Sequence, residues 1–259
     1  GDSLLSESYL NIEKIIKLAK ESGSDAIHPG YGLLSENDTF AKRVEEEGLV
    51  FIGPGHKAIS IMGDKAKAKR EMEKIGVPCI PGYQGTDQSD EKFIESAKEI
   101  GYPLLIKASR GGGGRGMRLV ESEKEMKSAL DMARKESLSA FGSEELILEK
   151  LILNPRHIEI QVMADQFGKF LHLGERDCSI QRRHQKIVEE APSEVLDNEL
   201  REKFGKTAIE IAKSIHYVGV GTVEFLLDKD KNFYFMEMNT RLQVEHPITE
   251  MLTRVDLVR

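Results

Sequence analysis

A chain of 259 residues, 39% hydrophobic and 31% charged, is long enough to bury a real core, in one large unit or two smaller ones, and its makeup is that of a globular protein. No apolar run approaches the ~20 residues that cross a bilayer, and the opening residues carry neither a basic segment nor a long apolar stretch, which excludes a membrane span and argues against a signal peptide. A net charge of −7 argues against nucleic acid as a partner, yet leaves room for a phosphate ligand where local charge opposes the net charge.

The first section alternates helix and strand. Tyr9, Ile12, Ile16 and Ala19 recur at helical spacing, with Gly23 as the stop. Ala26 and Ile27 lead into the loop His28-Pro29-Gly30-Tyr31-Gly32. A second helix is predicted over about 37–47, and Leu49-Val50-Phe51-Ile52 reads as a strand ending at Gly53-Pro54. This βα alternation implies a parallel sheet. Helices follow near 57–62 and 64–75, broken at Gly63 and ended by Gly76 and Pro78.

From Val77 onward the pattern is a helix over about 91–100, a strand at 104–108, a glycine run and a short strand at 117–120. Met126, Ala129, Leu130 and Ala133 mark a further amphipathic helix. Strands are predicted near 146–149, 157–164 and 169–175, the last two joined by the turn Asp165-Gln166-Phe167-Gly168. Leu200, Phe204, Ala208, Ile211 and Ile215 share one helix side. Strands at 222–227 and 232–238, joined by a polar turn, form an antiparallel pair. Three units result: a βα unit, a small inserted α+β unit and a catalytic unit. Residues 256–259 read as the start of another helix, and both ends read as cut, so the chain is expected to be a fragment of a longer protein. Cys79 and Cys178 follow neither a metal nor a disulfide spacing, which fits a reduced, cytoplasmic setting, Cys79 as a small packed residue and Cys178 as a residue that can line a site.

Four segments carry chemistry. In the first, an apolar strand delivers Lys107 to its end, and five glycines and two arginines follow before Met117. Glycines let backbone N–H groups approach an anion closely, and lysine supplies a point charge to phosphate oxygens. No Gly-Lys-Ser/Thr follows, so this is no Walker loop, and it precedes a strand, whereas a dinucleotide fingerprint opens a helix. A mobile lid over a nucleotide is the better physical reading. In the second segment, strand alternation puts Glu237, Asn239 and Arg241 on one face, with Glu224 on the neighbouring strand between the apolar Val223 and Phe225. Two carboxylates and an amide at the edge of a core make a hard-oxygen site suited to Mg²⁺. The third is Arg176-Asp177-Cys178-Ser179-Ile180-Gln181-Arg182-Arg183-His184-Gln185-Lys186, whose mixed charges suit either an anion site or a surface ion-pair strand. In the fourth, Ile158, Ile160 and Val162 face one way, and His157, Glu159 and Gln161 the other.

Taken together these segments resemble biotin carboxylase, the ATP-grasp component of the biotin-dependent carboxylases. The resemblance runs along essentially the whole chain and includes His28-Pro29-Gly30-Tyr31-Gly32-Leu33-Leu34-Ser35-Glu36-Asn37, Met62-Gly63-Asp64-Lys65, the glycine loop, residues 154–162 and 176–186, Glu189-Glu190-Ala191-Pro192, and residues 237–247. It implies an ATP-grasp fold, α/β plus α+β. A partial N-terminal βα domain would span 1–62 and an ATP-grasp domain 63–259, with a small lid subdomain over about 77–152 and a catalytic, metal-binding part over 153–259. The family's first βα unit and its C-terminal region, with a further arginine and much of the dimer surface, are expected to be missing.

The same resemblance implies the site residues. Lys65 and Lys107 would contact ATP phosphates, and the glycine loop, with Gly112, Gly113, Gly114, Gly116 and Met117, would close over them. Glu149, Lys150 and Ile152 would hold adenine; His157, Gln181, His184 and Leu226 would line the nucleotide pocket. Glu224, Glu237 and Asn239 would bind metal, Mg²⁺ or Mn²⁺ as a pair of ions. Lys186, Arg241, Gln243 and Val244 would hold bicarbonate, Glu245 would be its general base, and Arg241 would stabilise the biotin enolate. The implied reaction is ATP-dependent carboxylation of biotin through carboxyphosphate. Its partners would be a biotin carboxyl carrier protein or domain, a carboxyltransferase component and, for the parent, a second copy in a homodimer. The Glu189–Pro192 stretch leans toward acyl-CoA carboxylases. Two alternatives are another ATP-grasp ligase, of the carbamoyl-phosphate type, and a catalytically incomplete ATP-binding fragment.

Overall fold

Three separate hydrophobic cores organise the chain, one for each unit read from the sequence. The computed structural model describes residues 2–110, 116–183 and 185–259. Gly112, Gly113 and Gly114 of the expected lid and His184 of the expected nucleotide pocket lie outside the described residues.

The first unit opens on a short 3-10 turn, Leu5–Glu7, and continues with α1 (Ile12–Glu21), β1 (Ala26–Ile27), α2 (Asp38–Glu46), β2 (Val50–Phe51) and α3 (His56–Met62). Asn11 and Asn37 cap α1 and α2, each accepting a backbone N–H from three residues on. Tyr9 falls before α1 and is exposed, so the apolar face of that helix begins at Ile12. β1 and β2 pair in parallel, as the alternation implies. Ile16, Phe40, Val44, Phe51 and Ile59 fill the core between them, with Phe40 edge-on to Phe51 at 5.9 Å. Next, α4 (Lys65–Lys74) begins after Gly63, and Asp64 is its cap rather than its first residue.

The second unit comprises β3 (Gly82–Tyr83), α5 (Asp90–Ile100), β4 (Leu104–Ala108), β5 (Met117–Val120), α6 (Glu123–Phe141) and β6 (Leu146–Lys150). Its antiparallel sheet runs β3-β6-β4-β5. Phe93, Ala97, Met126, Leu130 and Ala133 of the two helices pack on Leu104, Ile106, Leu146 and Leu148. Strand alternation then turns Lys107 and Glu149 to the opposite face.

The third unit holds β7 (Arg156–Ala164), β8 (Phe170–Arg182), β9 (Gln185–Glu190), α7 (Asn198–Ser214), β10 (Gly219–Leu227), β11 (Phe233–Asn239) and α8 (His246–Thr253). The strands form an antiparallel sheet in the order β11-β10-β7-β8-β9. Ile158, Ile160, Val162, Val223 and Phe225 bury one face against Phe204, Ala208 and Ile211 of α7, and Phe204 stacks on Phe233 at 4.3 Å. Each buried Val, Ile or Phe here contributes ~1.5–3 kcal/mol of burial. Met62 of α3 and Met72 of α4 join this core, which ties the first unit to the large sheet.

One expectation is corrected here. Residues 256–259 are not a new helix: α8 ends where Arg254 turns to a left-handed conformation (φ 60°), and Asp256 Oδ1 accepts from Val258 N and Arg259 N in a local turn. The helix lies earlier, with Pro247 in its first turn, where the missing N–H costs nothing. The 176–186 stretch continues β8 to Arg182 and turns at Arg183 (φ 52°) into the edge strand β9. Among the described residues no helix is long and apolar enough to cross a membrane.

Candidate active site

The face of the large sheet opposite α7 carries the polar side chains, and it is not a wet face. Glu159 and Gln161 of β7 and Arg176 of β8 are wholly buried, and Glu224 of β10 is 3% exposed. Buried charges persist only where paired and hydrogen-bonded, and here every one has a partner. Arg176 donates to Glu159, Gln161, Thr222, Gln243 and Thr249. Glu159 shares its other oxygen with Lys186.

Lys186, on β9, is a second cation of this face. Its ammonium donates to Glu159, to Glu224 Oε1 at 2.8 Å and to Glu245 Oε1 at 2.7 Å. Burial works against its charge, but the three carboxylates outweigh burial and hold it well above the usual lysine range. Burial would raise the Glu245 carboxyl; Lys186 beside it holds it below the usual carboxylate range. Glu224 is likewise held low against burial by His157 and Lys186. His157 Nε2 lies 2.8 Å from Glu224 Oε2, and its Nδ1 lies 2.7 Å from Gln181 Nε2. Asn239 Nδ2 and Gln243 Nε2 donate to Glu224 Oε1 at 2.7 and 3.2 Å.

Two further lysines reach the same region from the other units. The start of α4 is clasped to the end of β4: Lys65 N donates to Ser109 O at 2.8 Å, and Ser109 Oγ donates to the cap Asp64 Oδ1 at 2.8 Å. That clasp brings Lys65 and Lys107 onto one side. Lys65 Nζ donates to Glu237 Oε2 at 2.8 Å; burial disfavours its charge, yet Glu237, Glu149 and Glu224 together raise it above the usual range. Lys107 pairs with Glu149, whose second oxygen accepts from Lys69 Nζ at 3.2 Å. Burial pushes the Glu149 carboxyl up, and the two lysines bring it down to about 2.

The remaining residues named from the sequence fall as follows. Leu226 sits opposite His157 in the β10–β7 register, and Met117 opposite Lys107 in the β5–β4 register. Gly116 is a necessary glycine: its φ is +71°, and a Cβ there would come 3.2 Å from that of Ala108. The Lys150 side chain turns away from the charged group, to the carbonyls of Gly101 and Tyr102 at 2.9 and 3.1 Å, and Ile152 is half-buried beyond the end of β6. Arg241 Nη2 donates to Asn239 Oδ1 at 3.3 Å, and Val244 is 67% exposed. Cys178 is buried, and burial pushes its thiol up, so it is a packed residue and an unreactive one.

Four participants carried no assigned role in the sequence reading: Lys69, Glu159, Arg176 and Glu36. Glu36 crosses from the first unit, accepting from Arg241 Nε at 2.8 Å and from Thr240 N at 3.1 Å. Glu36, Glu159 and Arg176 each had a signal, since they lie in the 28–37, 154–162 and 176–186 stretches; Lys69 alone had none.

The donor set fits a hard divalent cation. Glu224 and Glu237 stand directly opposite each other on β10 and β11, a repulsive pair unless cations intervene, and Asn239 adds an amide oxygen two residues along. All are oxygen donors of the kind Mg²⁺ takes together with phosphate oxygens. Ligating atoms of His157, Glu159 and Glu224 also lie within 4.8 Å of one another, but there Lys186 already supplies the cation that Glu159 and Glu224 share.

With this geometry in hand, comparison with known proteins is decisive. Residues 64–259 match the carbamoyl-phosphate synthase L chain, ATP binding domain, and residues 1–59 match the biotin carboxylase N-terminal domain. The chain belongs to the biotin carboxylase family. It is 56% identical to the mitochondrial methylcrotonoyl-CoA carboxylase subunit alpha of Dictyostelium discoideum, covering all of this chain and 37% of that one. It is 54% identical to biotin carboxylase 2 of Bacillus subtilis, covering all of this chain and 58% of the relative. Among solved structures, the biotin carboxylase domain dimer of Hydrogenobacter thermophilus 2-oxoglutarate carboxylase, in complex with MgADP, ADP and bicarbonate, superposes with a TM-score of 0.95 at 53% identity, over 100% of this chain and 57% of that one. The fold is therefore the ATP-grasp fold of biotin carboxylases, and the chain spans little more than half the length of these bacterial relatives.

Proposed function

We propose that the protein uses ATP to carboxylate biotin with bicarbonate, the first half-reaction of a biotin-dependent carboxylase. One observation carries this reading: three lysines from three different segments, Lys65, Lys107 and Lys186, pair with the carboxylates Glu237, Glu149 and Glu245, and Lys65 feels the charge of Glu237, Glu149 and Glu224 together. Such a group, buried and charge-balanced, is what a triphosphate and a small oxyanion need in order to bind side by side.

In this reading Lys65 and Lys107 leave their carboxylates for phosphate oxygens. Glu224, Glu237 and Asn239 would hold the divalent cation, which would neutralise charge on the transferring phosphoryl group. Lys186, Arg241 and Gln243 orient bicarbonate. Glu245, ionised because Lys186 keeps its carboxyl low, takes the bicarbonate proton as the bicarbonate oxygen attacks the γ-phosphorus and the bond to ADP breaks. Carboxyphosphate, kept from water, then gives CO₂ and phosphate; the phosphate takes the proton from the ureido nitrogen of biotin, and that nitrogen attacks CO₂. Arg241 stabilises the enolate. A biotin carrier protein or domain supplies the biotin, a carboxyltransferase component consumes the carboxybiotin, and a second copy completes a homodimer. Two free cysteines fit a reduced compartment, and we assign the protein to the cytoplasm.

The test is ADP release by the full-length protein that contains this chain. Dependence on bicarbonate with stimulation by free biotin is the expected result. Turnover that needs ammonia instead would move the assignment to the carbamoyl-phosphate type, and tight ATP binding without turnover would move it to a binding module.

A further inference from the structure

The candidate site is held from beneath by a side chain to which the proposed reaction gives no role. Arg176 is wholly buried at the middle of β8. Its Nε donates to Glu159 Oε1 at 2.5 Å, its Nη1 to Gln161 Oε1 and Thr249 Oγ1, both at 2.8 Å, and its Nη2 to Thr222 Oγ1 at 3.2 Å and Gln243 Oε1 at 3.3 Å. A guanidinium has five N–H donors, so the fork is saturated, each donor by a different residue.

Two of these bonds lead straight to the site. An amide side chain can present either its oxygen or its nitrogen. Because Gln243 Oε1 accepts from Arg176, its Nε2 must face the other way, and there it donates to Glu224 Oε1 at 3.2 Å. Glu159 is the second connection. One of its oxygens is held by Arg176 and the other by Lys186, whose remaining contacts are Glu224 and Glu245. Thr249 adds a third tie, to the helix α8 that begins directly after Glu245. A neutral donor and a cation are thus aimed at one small space by a group that never reaches it.

We propose that Arg176, acting with Glu159, is a positioning residue that turns the Gln243 amide and the Lys186 ammonium toward a small oxyanion, and so fixes how bicarbonate is held without touching it. The proposal rests on the bicarbonate reading of the site. Lysine is no substitute at this position: a compact ammonium has three donors and no planar fork, so at least two of the five acceptors lose their bond.

The full-length protein carrying Arg176→Lys tests this. The expected result is a KM for bicarbonate raised roughly tenfold or more, with the ATP dissociation constant, measured by calorimetry, unchanged within about twofold. Thr222→Val removes an acceptor of the same fork that does not lead to the site, and it should lower the melting temperature while leaving the bicarbonate KM alone. An equal rise in both variants, or a parallel rise for ATP and bicarbonate, would mean general loosening and overturns the proposal. Should Arg176→Lys fail to fold, Glu159→Gln must show the same bicarbonate-selective defect, and a normal bicarbonate KM there rejects the proposal. A readout apart from turnover is the Gln243 side-chain amide in ¹⁵N spectra, identified by its loss in Gln243→Glu. Its protons should be protected from exchange in the unsubstituted protein and exposed in Arg176→Lys; equal protection in both rejects the role. Failure of the unsubstituted protein to turn over with bicarbonate sinks the functional reading, while the amide measurement still decides the role of Arg176.

Discussion

Lys65, in the first turn of α4, donates to Glu237 of β11 at 2.8 Å across 172 positions of the chain. The pair joins a phosphate-type lysine to a metal-type carboxylate, and each neutralises the other while the site is without nucleotide. Binding of a metal nucleotide must separate them, giving the lysine a phosphate and the carboxylate a cation. Lys65→Met is therefore expected to weaken MgATP binding roughly 10- to 100-fold, the size of a lost charge-assisted contact. Glu237→Gln is expected to raise the Mg²⁺ concentration needed for nucleotide binding while leaving metal-free ADP affinity near normal. Calorimetry with ADP at several Mg²⁺ concentrations separates the two, and identical Mg²⁺ dependence in both variants would remove Glu237 from the metal site.

Glu245→Gln should stop bicarbonate-dependent ADP release, by about 10²–10⁴-fold, the range of general acid–base contributions, with the ATP dissociation constant unchanged. The acidity of Glu245 sets the pH signature. Its carboxyl is depressed below 4.5 by Lys186, so the group is ionised at neutral pH and loses its charge only as pH falls below that value. With the bicarbonate concentration corrected at each pH for its own protonation, the acid limb of bicarbonate-dependent kcat/KM should accordingly lie below pH 4.5, or be cut off first by unfolding. A limb near neutrality, abolished in the glutamine variant, would show a base of quite different acidity.

Lys69, Glu149 and Lys107 form a buried triad in which one carboxylate serves two cations. The Glu149 carboxyl is lowered from 4.5 to about 2. The stability this contributes is fully present above pH 4.5 and is lost as pH falls through about 2; its size is at most about 3 kcal/mol. Glu149→Gln leaves two buried ammonium groups with no counter-charge, so a loss of roughly 3–5 kcal/mol is expected at pH 7. The difference from the unsubstituted protein should shrink on acidification. Denaturant titrations at pH 7 and pH 3 read both values, and a gap that widens with acid contradicts the assignment.

The parts of the molecule legible in the sequence are those fixed by local periodicity. The strands at 104–108 and 117–120 are found with the predicted bounds, because apolar runs flanked by glycine leave little choice. The opposition of Glu224 to its apolar neighbours followed from alternation alone. Burial of charge was not legible. Arg176 and Arg182 stand in the same charged stretch, yet the first is wholly buried and the second is exposed, since the difference is made by Thr249 and Gln243, some 70 residues away. Lys69 has the same history: its partners Ile80 and Glu149 come from other segments. The last helix was expected at 256–259 and lies instead at His246–Thr253, where Pro247 in the first turn suits a helix start.

Glu36 and Arg241 tie the first unit to the site, and their exposure decides what the tie is for. Their side chains are 38% and 21% exposed, and an ion pair that open to water is worth only about 0–1 kcal/mol. Stability is therefore not its main effect. Orientation is: Glu36 holds Arg241 Nε, while Asn239 Oδ1 and the Leu242 carbonyl hold its two Nη atoms at 3.3 Å each. Glu36→Ala frees the guanidinium to swing and exposes Thr240 N, which Glu36 Oε1 otherwise holds at 3.1 Å. The melting temperature should change by no more than about 2 °C, ATP affinity should stay constant, and the KM for bicarbonate or free biotin should rise several-fold, on the order of one lost orienting bond. Unfolding at a much lower temperature would make Glu36 a structural joint, and unaltered KM values with unaltered stability would leave Arg241 positioned by Asn239 and Leu242 alone.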